Sequence, residues 1–124
     1  MLSLSIHLFG GVFISNTTRP MVEVVASAAP IIGYLVLKRH RPDFIFYLAG
    51  ADPFEGDRLG RLKLTIDGLR ARDEVVLRAC ARAGLPVAIT MSGGYANDIS
   101  AIVTIHANTI QTASREKWPN TFAS

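Results

Sequence analysis

Two short, largely apolar segments with an amphipathic segment between them constrain the fold of this chain more than any other sequence feature. Residues 44–48 and 87–91 are runs bounded by Pro and Gly, as in strands buried on both faces of a parallel sheet. The apolar residues of the segment between them recur at helical spacing and are Ile66, Leu69, Val76, Leu77 and Cys80. The other face of this segment is charged and carries Arg70, Asp73, Glu74, Arg78 and Arg82.

The order strand, helix, strand predicts an α/β fold, a parallel β-sheet with flanking helices and a right-handed connection. Thr65 is placed to cap the start of the first helix, because its hydroxyl can accept an orphan backbone N–H. Gly84 is placed to end that helix, since glycine adopts the left-handed conformation of a helix terminus. A further helix is predicted over residues 99–112.

The N-terminal residues give weaker patterns. Residues 2–7 alternate between apolar and polar, which predicts a short strand. Residues 8–20 have no sustained period and are interpreted as an irregular connection. Residues 21–40 have helix length but are apolar all round, and they are predicted as a hydrophobic helix despite Pro30. We therefore divide the chain into a divergent N-terminal segment, 1–40, an α/β domain, 41–118, and a tail, 119–124.

Composition and charge argue against three classes of protein: nucleic-acid-binding, membrane-spanning and secreted. The formal net charge is +3, but the basic residues are scattered or in short groupings, which argues against direct nucleic-acid binding. The uncharged segment 24–37 is shorter than the roughly 20 residues that a membrane-spanning helix needs. The N-terminus has no signal-peptide pattern. The lone Cys80 cannot form an intrachain disulfide, which favours a reducing, cytoplasmic setting.

Two loops follow the predicted strands at the carboxyl edge of the sheet, where open α/β sheets bind ligands. The first, residues 49–52, ends in Asp52, which is a metal ligand, a general base, or a carboxylate that binds turn amides. The second, residues 92–95, brings Tyr95 to the same edge behind the paired glycines Gly93 and Gly94.

The role of the second loop is open from spacing alone. The phenol of Tyr95 can donate a hydrogen bond to an oxygen that gains charge in acyl transfer, or it can pack over the strand end. The glycines and the helix after them can also form an anion site. His106 falls within the last predicted helix and is interpreted as structural, and His7 ends the first predicted strand.

The run from Arg41 to Gly60, followed by the turn at residues 92–96, resembles the histone deacetylase family, particularly its class IV and bacterial members. The resemblance covers about residues 41–113 and depends on the ordered pair of loops. It implies the C-terminal portion of an arginase/deacetylase-like fold, in which two aspartates and a histidine hold zinc at the carboxyl edge of a parallel sheet.

The resemblance also implies residue roles. Asp52 matches the later of the two zinc-binding aspartates, and Tyr95 matches the tyrosine that hydrogen-bonds the acyl carbonyl. Gly93 and Gly94 then belong to the substrate-binding loop. The implied reaction is hydrolysis of acetyl-lysine or a related acyl amide.

The sequence departs from the family in one important respect. The Asp-x-His pair that supplies the other zinc ligands is absent, as is the pair of general-base histidines. Because catalytic zinc sites use about three protein ligands, we predict that this chain, truncated, frameshifted or split, is inactive alone. Its expected partners are a companion N-terminal segment, or a second copy paired through an exposed sheet edge. The alternative is a non-catalytic binding or scaffold unit without metal.

Overall fold

The structure is a computed structural model that describes residues 3–7, 14–16, 20–25, 37–39 and 41–119. Its strands are β1 (Ser3–His7), β2 (Ile14–Asn16), β3 (Pro20–Val25), β4 (Phe44–Gly50) and β5 (Val87–Ser92). Its long helices are α1 (Ile66–Arg82) and α2 (Ile99–Arg115), and residues 37–39 form a short helical turn.

The strands form one sheet in the order β2-β3-β1-β4-β5. The pairs β3–β1, β1–β4 and β4–β5 are parallel, and β2 pairs with β3 in the antiparallel direction. The prediction of an α/β fold with a parallel sheet and flanking helices is confirmed. None of the helices that the structure describes is both long and apolar enough to cross a membrane.

Two predictions for the N-terminal residues are wrong. The predicted irregular connection, 8–20, contains β2, and the predicted helix, 21–40, begins instead inside β3. The β-branched valines of β3 suit a pleated strand, and pairing with β1 satisfies its backbone, which local sequence patterns do not reveal. Residues 26–36 of the predicted helix lie outside the described residues, and residues 37–39 are helical.

The core lies on one face of β4 and β5. Ile45, Tyr47 and Ala49 point to this face and are fully buried, packed against Leu77 and Cys80 of α1. A second buried cluster joins Ala51, Leu69 and Ile105 beside the carboxyl end of β4. The two clusters hold both long helices against the strand end that carries the first predicted loop.

The prediction that β4 and β5 are buried on both faces is wrong. Burial alternates along β4, and Phe46, on the face away from Tyr47, is 41% exposed. On β5, Thr90 and Met91 are exposed. The physical reason is that α1 and α2 both pack on the face of Ile45 and Tyr47.

The ends of α1 agree with the sequence. The Thr65 hydroxyl accepts the N–H of Gly68 at 3.0 Å, and Gly84 has a φ of 69° just beyond the last turn. Asp73, however, was predicted on the charged outer face and is fully buried, which corrects that prediction. It accepts hydrogen bonds from the hydroxyls of Tyr47 and Thr109, so its carboxylate is satisfied inside the core.

Arg72 completes this buried polar cluster. Its Nε donates to Asp73 at 2.8 Å, and its Nη2 lies 2.7 Å from the same carboxylate as an ion pair without hydrogen-bond geometry. Its Nη1 donates to the carbonyl of Gly50 at 2.8 Å. The cluster therefore ties β4, α1 and α2 together and fixes the last residue of β4.

Candidate functional site

The loop after β4 holds Asp52 in a recess made by glycine. A Cβ atom at Gly50 or at Gly93 would overlap the Asp52 carboxylate, so a larger residue at either position would displace that carboxylate. Asp52 is itself half-buried and makes a polar interaction of its own. Glycine at these two positions lets the ends of β4 and β5 close around one carboxylate.

The loop after β5 is bent by its glycines. Gly93 has a φ of 55° and Gly94 a φ of 134°, values that other residues rarely adopt. A Cβ atom at Gly94 would lie 3.0 Å from Ile102 and 3.4 Å from Ala51, so this loop packs directly on the first. Tyr95 follows with its side chain 46% exposed, which leaves it accessible at the carboxyl edge.

The backbone of Tyr95 is held on both sides by the first loop. Its N–H donates to Oδ2 of Asp57 at 2.8 Å, and its carbonyl accepts from Nε of Arg58 at 2.9 Å. Oδ1 of Asp57 accepts the N–H groups of Leu59 at 2.8 Å and Gly60 at 2.7 Å.

Asp57 is buried among these donors. Burial raises the pKa of Asp57, but the hydrogen bonds from Gly60, Tyr95 and Leu59 lower it more, so the net pKa is below its usual value. The group is therefore a carboxylate at neutral pH, with both oxygens engaged by backbone N–H groups.

The structure brings the loops of the predicted site residues together. Asp52, Gly93 and Gly94 lie in adjoining loops at the carboxyl ends of β4 and β5, and Tyr95 comes next in the chain. The roles of Asp52 as a zinc ligand and of Tyr95 as a hydrogen-bond donor to substrate stay predictions. His7 ends β1, which neighbours β4, so its backbone lies at the same edge.

The structure also bears on two other interpretations of the sequence, the anion site and His106. The N-terminus of α2 was a possible anion site, but the Asp98 side chain already accepts the N–H groups of Ser100 and Ala101. A negative group is therefore in place where an anion would bind. His106 lies within α2, and its Nδ1 is buried without a hydrogen-bond partner in the described part of the chain.

A zinc site needs more ligands than the described residues at this edge provide. Within residues 3–7, 14–16, 20–25, 37–39 and 41–119, no group of three His, Cys, Asp or Glu side chains could hold a metal ion. Asp52 is the candidate ligand from the sequence, and catalytic zinc sites use about three. The described residues therefore do not fit a complete zinc site.

Sequence reasoning missed three residues of this region: Asp57, Arg58 and Arg72. The first two act on the backbone of Tyr95, and Arg72 acts on the backbone of Gly50, so no spacing of side chains signals their partners. The sequence shows only that an acidic residue, Asp57, stands next to a basic one, Arg58, in a glycine-rich loop.

Comparison with known proteins finds similarity to histone deacetylases. The family model described as the histone deacetylase domain matches residues 18–110, so the match begins earlier than the predicted resemblance at residue 41. A protein of Picosynechococcus sp. strain PCC 7002 is 46% identical over 72 residues, which is 58% of this chain and 24% of that protein. Histone deacetylase 2 of Arabidopsis thaliana is 34% identical over 79 residues, 64% of this chain and 20% of that protein.

The chain thus spans about a quarter or less of the length of these two relatives. The family model, by contrast, matches well over half of the chain and includes both loops of the candidate site. The chain belongs to the histone deacetylase family.

Proposed function

We propose that this chain supplies part of the active site of a zinc-dependent deacetylase that hydrolyses acetyl-lysine or a related acyl amide. The observation that supports this most is the packing of the Asp52 loop on the loop of Gly93, Gly94 and Tyr95. Membership of the family adds to it, because those two loops lie within the matched residues.

The proposed role of Tyr95 follows from its exposure and its position. Its accessible phenol donates a hydrogen bond to the acyl oxygen as negative charge develops there during attack on the carbonyl. Gly93 and Gly94 have no side chains to obstruct the approach of the acyl group to this edge. In this proposal Tyr95 stabilises the transition state rather than transferring a proton.

The proposed role of Asp52 is to contribute one metal ligand to a composite site. The described residues lack the remaining ligands, and we propose that a companion segment provides them. We therefore propose that the chain is inactive alone. A cytoplasmic setting is part of the proposal and is supported by the free, buried thiol of Cys80.

A complementation assay tests this function. The chain is mixed, with and without added zinc, with the part of the Picosynechococcus relative that it does not match, and hydrolysis of an acetyl-lysine peptide is followed. We expect no turnover by the chain alone and zinc-dependent turnover by the mixture. Tyr95→Phe should lower kcat by about 100-fold to 1,000-fold, as loss of one oxyanion donor does.

Asp52→Asn should abolish the zinc-dependent turnover, whereas Glu55→Gln, at an exposed carboxylate in the same loop, should leave it unchanged. Turnover that survives Asp52→Asn would contradict the assignment of Asp52. Zinc-independent turnover by the chain alone would contradict the proposal as a whole.

A second candidate is a non-catalytic binding or scaffold unit without metal. It is favoured by the finding that no three potential ligands converge in the part of the chain that the structure describes. Zinc titration, by calorimetry, of the chain mixed with the unmatched part of the Picosynechococcus relative separates the two. Stoichiometric binding that Asp52→Ala removes supports the deacetylase fragment, and a mixture that neither binds zinc nor turns over substrate supports the scaffold.

A further inference from the structure

The position of Tyr95 is not determined by its own loop. Gly93 and Gly94 directly precede it, and both adopt positive φ values. Glycine has more backbone freedom than any other residue, so these two positions constrain Tyr95 little. The Tyr95 side chain is nearly half exposed, so packing alone does not fix it. Its backbone, in contrast, is bound at both polar groups by the neighbouring residues Asp57 and Arg58.

We propose that Asp57 is a positioning residue that fixes Tyr95 relative to Asp52, with Arg58 as its second contact. The significance for catalysis rests on the proposed function of Tyr95. The positioning itself depends only on the contacts between the two loops.

The hydrogen bonds of Asp57 require a carboxylate. Three N–H donors, those of Leu59, Gly60 and Tyr95, converge on its two oxygens, and the Tyr95 donor has Oδ2 to itself. An asparagine could accept the donors of Leu59 and Gly60 with its one oxygen. Its NH2 group would then face the N–H of Tyr95, donor against donor.

The same residue is also coupled to Asp52. Gly60, which donates to Asp57, lies so close to the Asp52 carbonyl that a Cβ atom there would overlap it. Asp57 therefore contacts the backbone beside Asp52 through Gly60, and the backbone of Tyr95 directly. Through these contacts one side chain sets the separation of the two candidate functional residues.

Amide exchange and tyrosine ring signals, both measured by NMR on the full chain, test this proposal. In the wild type we expect the Tyr95 amide to exchange slowly and its ring to give one narrow set of signals. In Asp57→Asn, Tyr95 amide exchange should rise about tenfold to a hundredfold, as for loss of a hydrogen bond to a charged group. The chemical shifts of the Tyr95 ring should move toward those of tyrosine in an unstructured peptide. The amides of Leu59 and Gly60 should stay protected from exchange.

Internal and matched controls separate positioning from general destabilisation. The ring signals of buried Tyr47 should stay unchanged in Asp57→Asn, and Glu55→Gln should behave as the wild type. Should Asp57→Asn fail to fold, Arg58→Gln removes the contact to the Tyr95 carbonyl alone and should broaden the Tyr95 ring signals. A wild-type Tyr95 amide that exchanges as fast as that of exposed Asn97 overturns the proposal.

Unchanged Tyr95 signals in Asp57→Asn also overturn it, whatever the enzymatic activity. If Tyr95 loses its order in Asp57→Asn and the complemented mixture never hydrolyses acetyl-lysine, the positioning role stands and the proposed function fails. The two hypotheses are therefore tested by different measurements.

Discussion

At Cys80 a single buried thiol illustrates how the packing of this protein controls chemical reactivity. The side chain lies in the core between α1 and β4, and burial raises the pKa of the Cys80 thiol to about 12. Because the thiolate is the reactive form, a thiol with this pKa is inert at neutral pH.

We therefore predict that native Cys80 does not react with Ellman's reagent at pH 8. In guanidinium chloride the reagent should titrate one thiol per chain, because the sequence has one cysteine. Fast reaction of the native chain would show that Cys80 is accessible and would contradict the packing described.

Asp57 makes the free energy of unfolding depend on pH in the acid range. Its pKa is lowered in the folded chain, so it contributes stability that is present above the unfolded pKa and is lost as pH falls through the folded pKa. The unfolded pKa of aspartate is about 4. We expect the melting temperature to fall below about pH 4, and to fall less steeply in Asp57→Asn.

The two proteins are compared by plotting melting temperature against pH. The difference between the two plots gives the contribution of Asp57. Asp98, whose pKa is also lowered, chiefly by its hydrogen bond with Ser100, loses its charge in the same pH range in both proteins. Glu55→Gln should follow the wild-type curve. Parallel curves for wild type and Asp57→Asn from pH 6 to pH 2.5 would contradict the linkage.

At the scale of single residues, the sequence identified side chains with intrinsic chemistry. Asp52 and Tyr95 were predicted as site residues because a carboxylate and a phenol follow predicted strands, and the resemblance implied their roles. Asp57, Arg58 and Arg72 were missed because each binds backbone atoms, and the identity of those partners depends on how the loops fold.

At the scale of secondary structure, α1 shows why a charged residue in a helix is hard to place. Asp73 follows Arg72 in a helix that exposes most of its charges, so an outward position was the natural prediction. Its partners, Tyr47 and Thr109, come from β4 and α2, which are distant in sequence. Burial raises the pKa of Tyr47 well above its usual value, so this phenol stays protonated and donates to Asp73.

We predict that Asp73→Ala lowers the free energy of unfolding by about 3–5 kcal/mol, since it leaves Arg72 buried without its counter-charge. Urea denaturation followed by circular dichroism measures the change. Asp67→Ala is the matched control in the same helix, because its exposed pair with Arg70 contributes about 1 kcal/mol or less. Equal effects of the two substitutions would contradict the buried network.

The elements from β4 onward were predictable because each has a strong local pattern and clear end signals. Thr65 and Gly84 bound α1 as expected, and the prolines and glycines bound β4 and β5. For β2 and β3 the local pattern was misleading. The valines of β3 occur in an apolar segment of helix length, and its strand conformation depends on pairing with β1.

On the scale of the whole molecule, α2 exposes a stripe of apolar side chains. Ile99, Val103 and Ile110 recur at helical spacing, and Ile99 is 72% exposed. Met91 adds a further exposed apolar side chain on β5, at the edge of the described sheet. Such patches mark interaction surfaces or cause aggregation. This agrees with our proposal that a companion segment or a second copy binds this chain.

We predict that the double substitution Ile99→Gln and Val103→Gln reduces self-association of the purified chain. Light scattering coupled to size-exclusion chromatography over a range of concentrations measures it. Because both side chains are already exposed, the melting temperature should change little. A fall in the melting temperature of many degrees would show that the stripe is part of the core of this chain.

The position of β1 in the sheet also has a consequence for the order of folding. β1 comes before the other four described strands in the sequence, yet it lies between β3 and β4. It can therefore complete its hydrogen bonds only after the residues of β4 have left the ribosome. Pairings between segments so distant in sequence close large loops and form slowly. Until β4 emerges, β1 therefore has β3 on one side and an open edge on the other, and a chaperone has time to bind that edge.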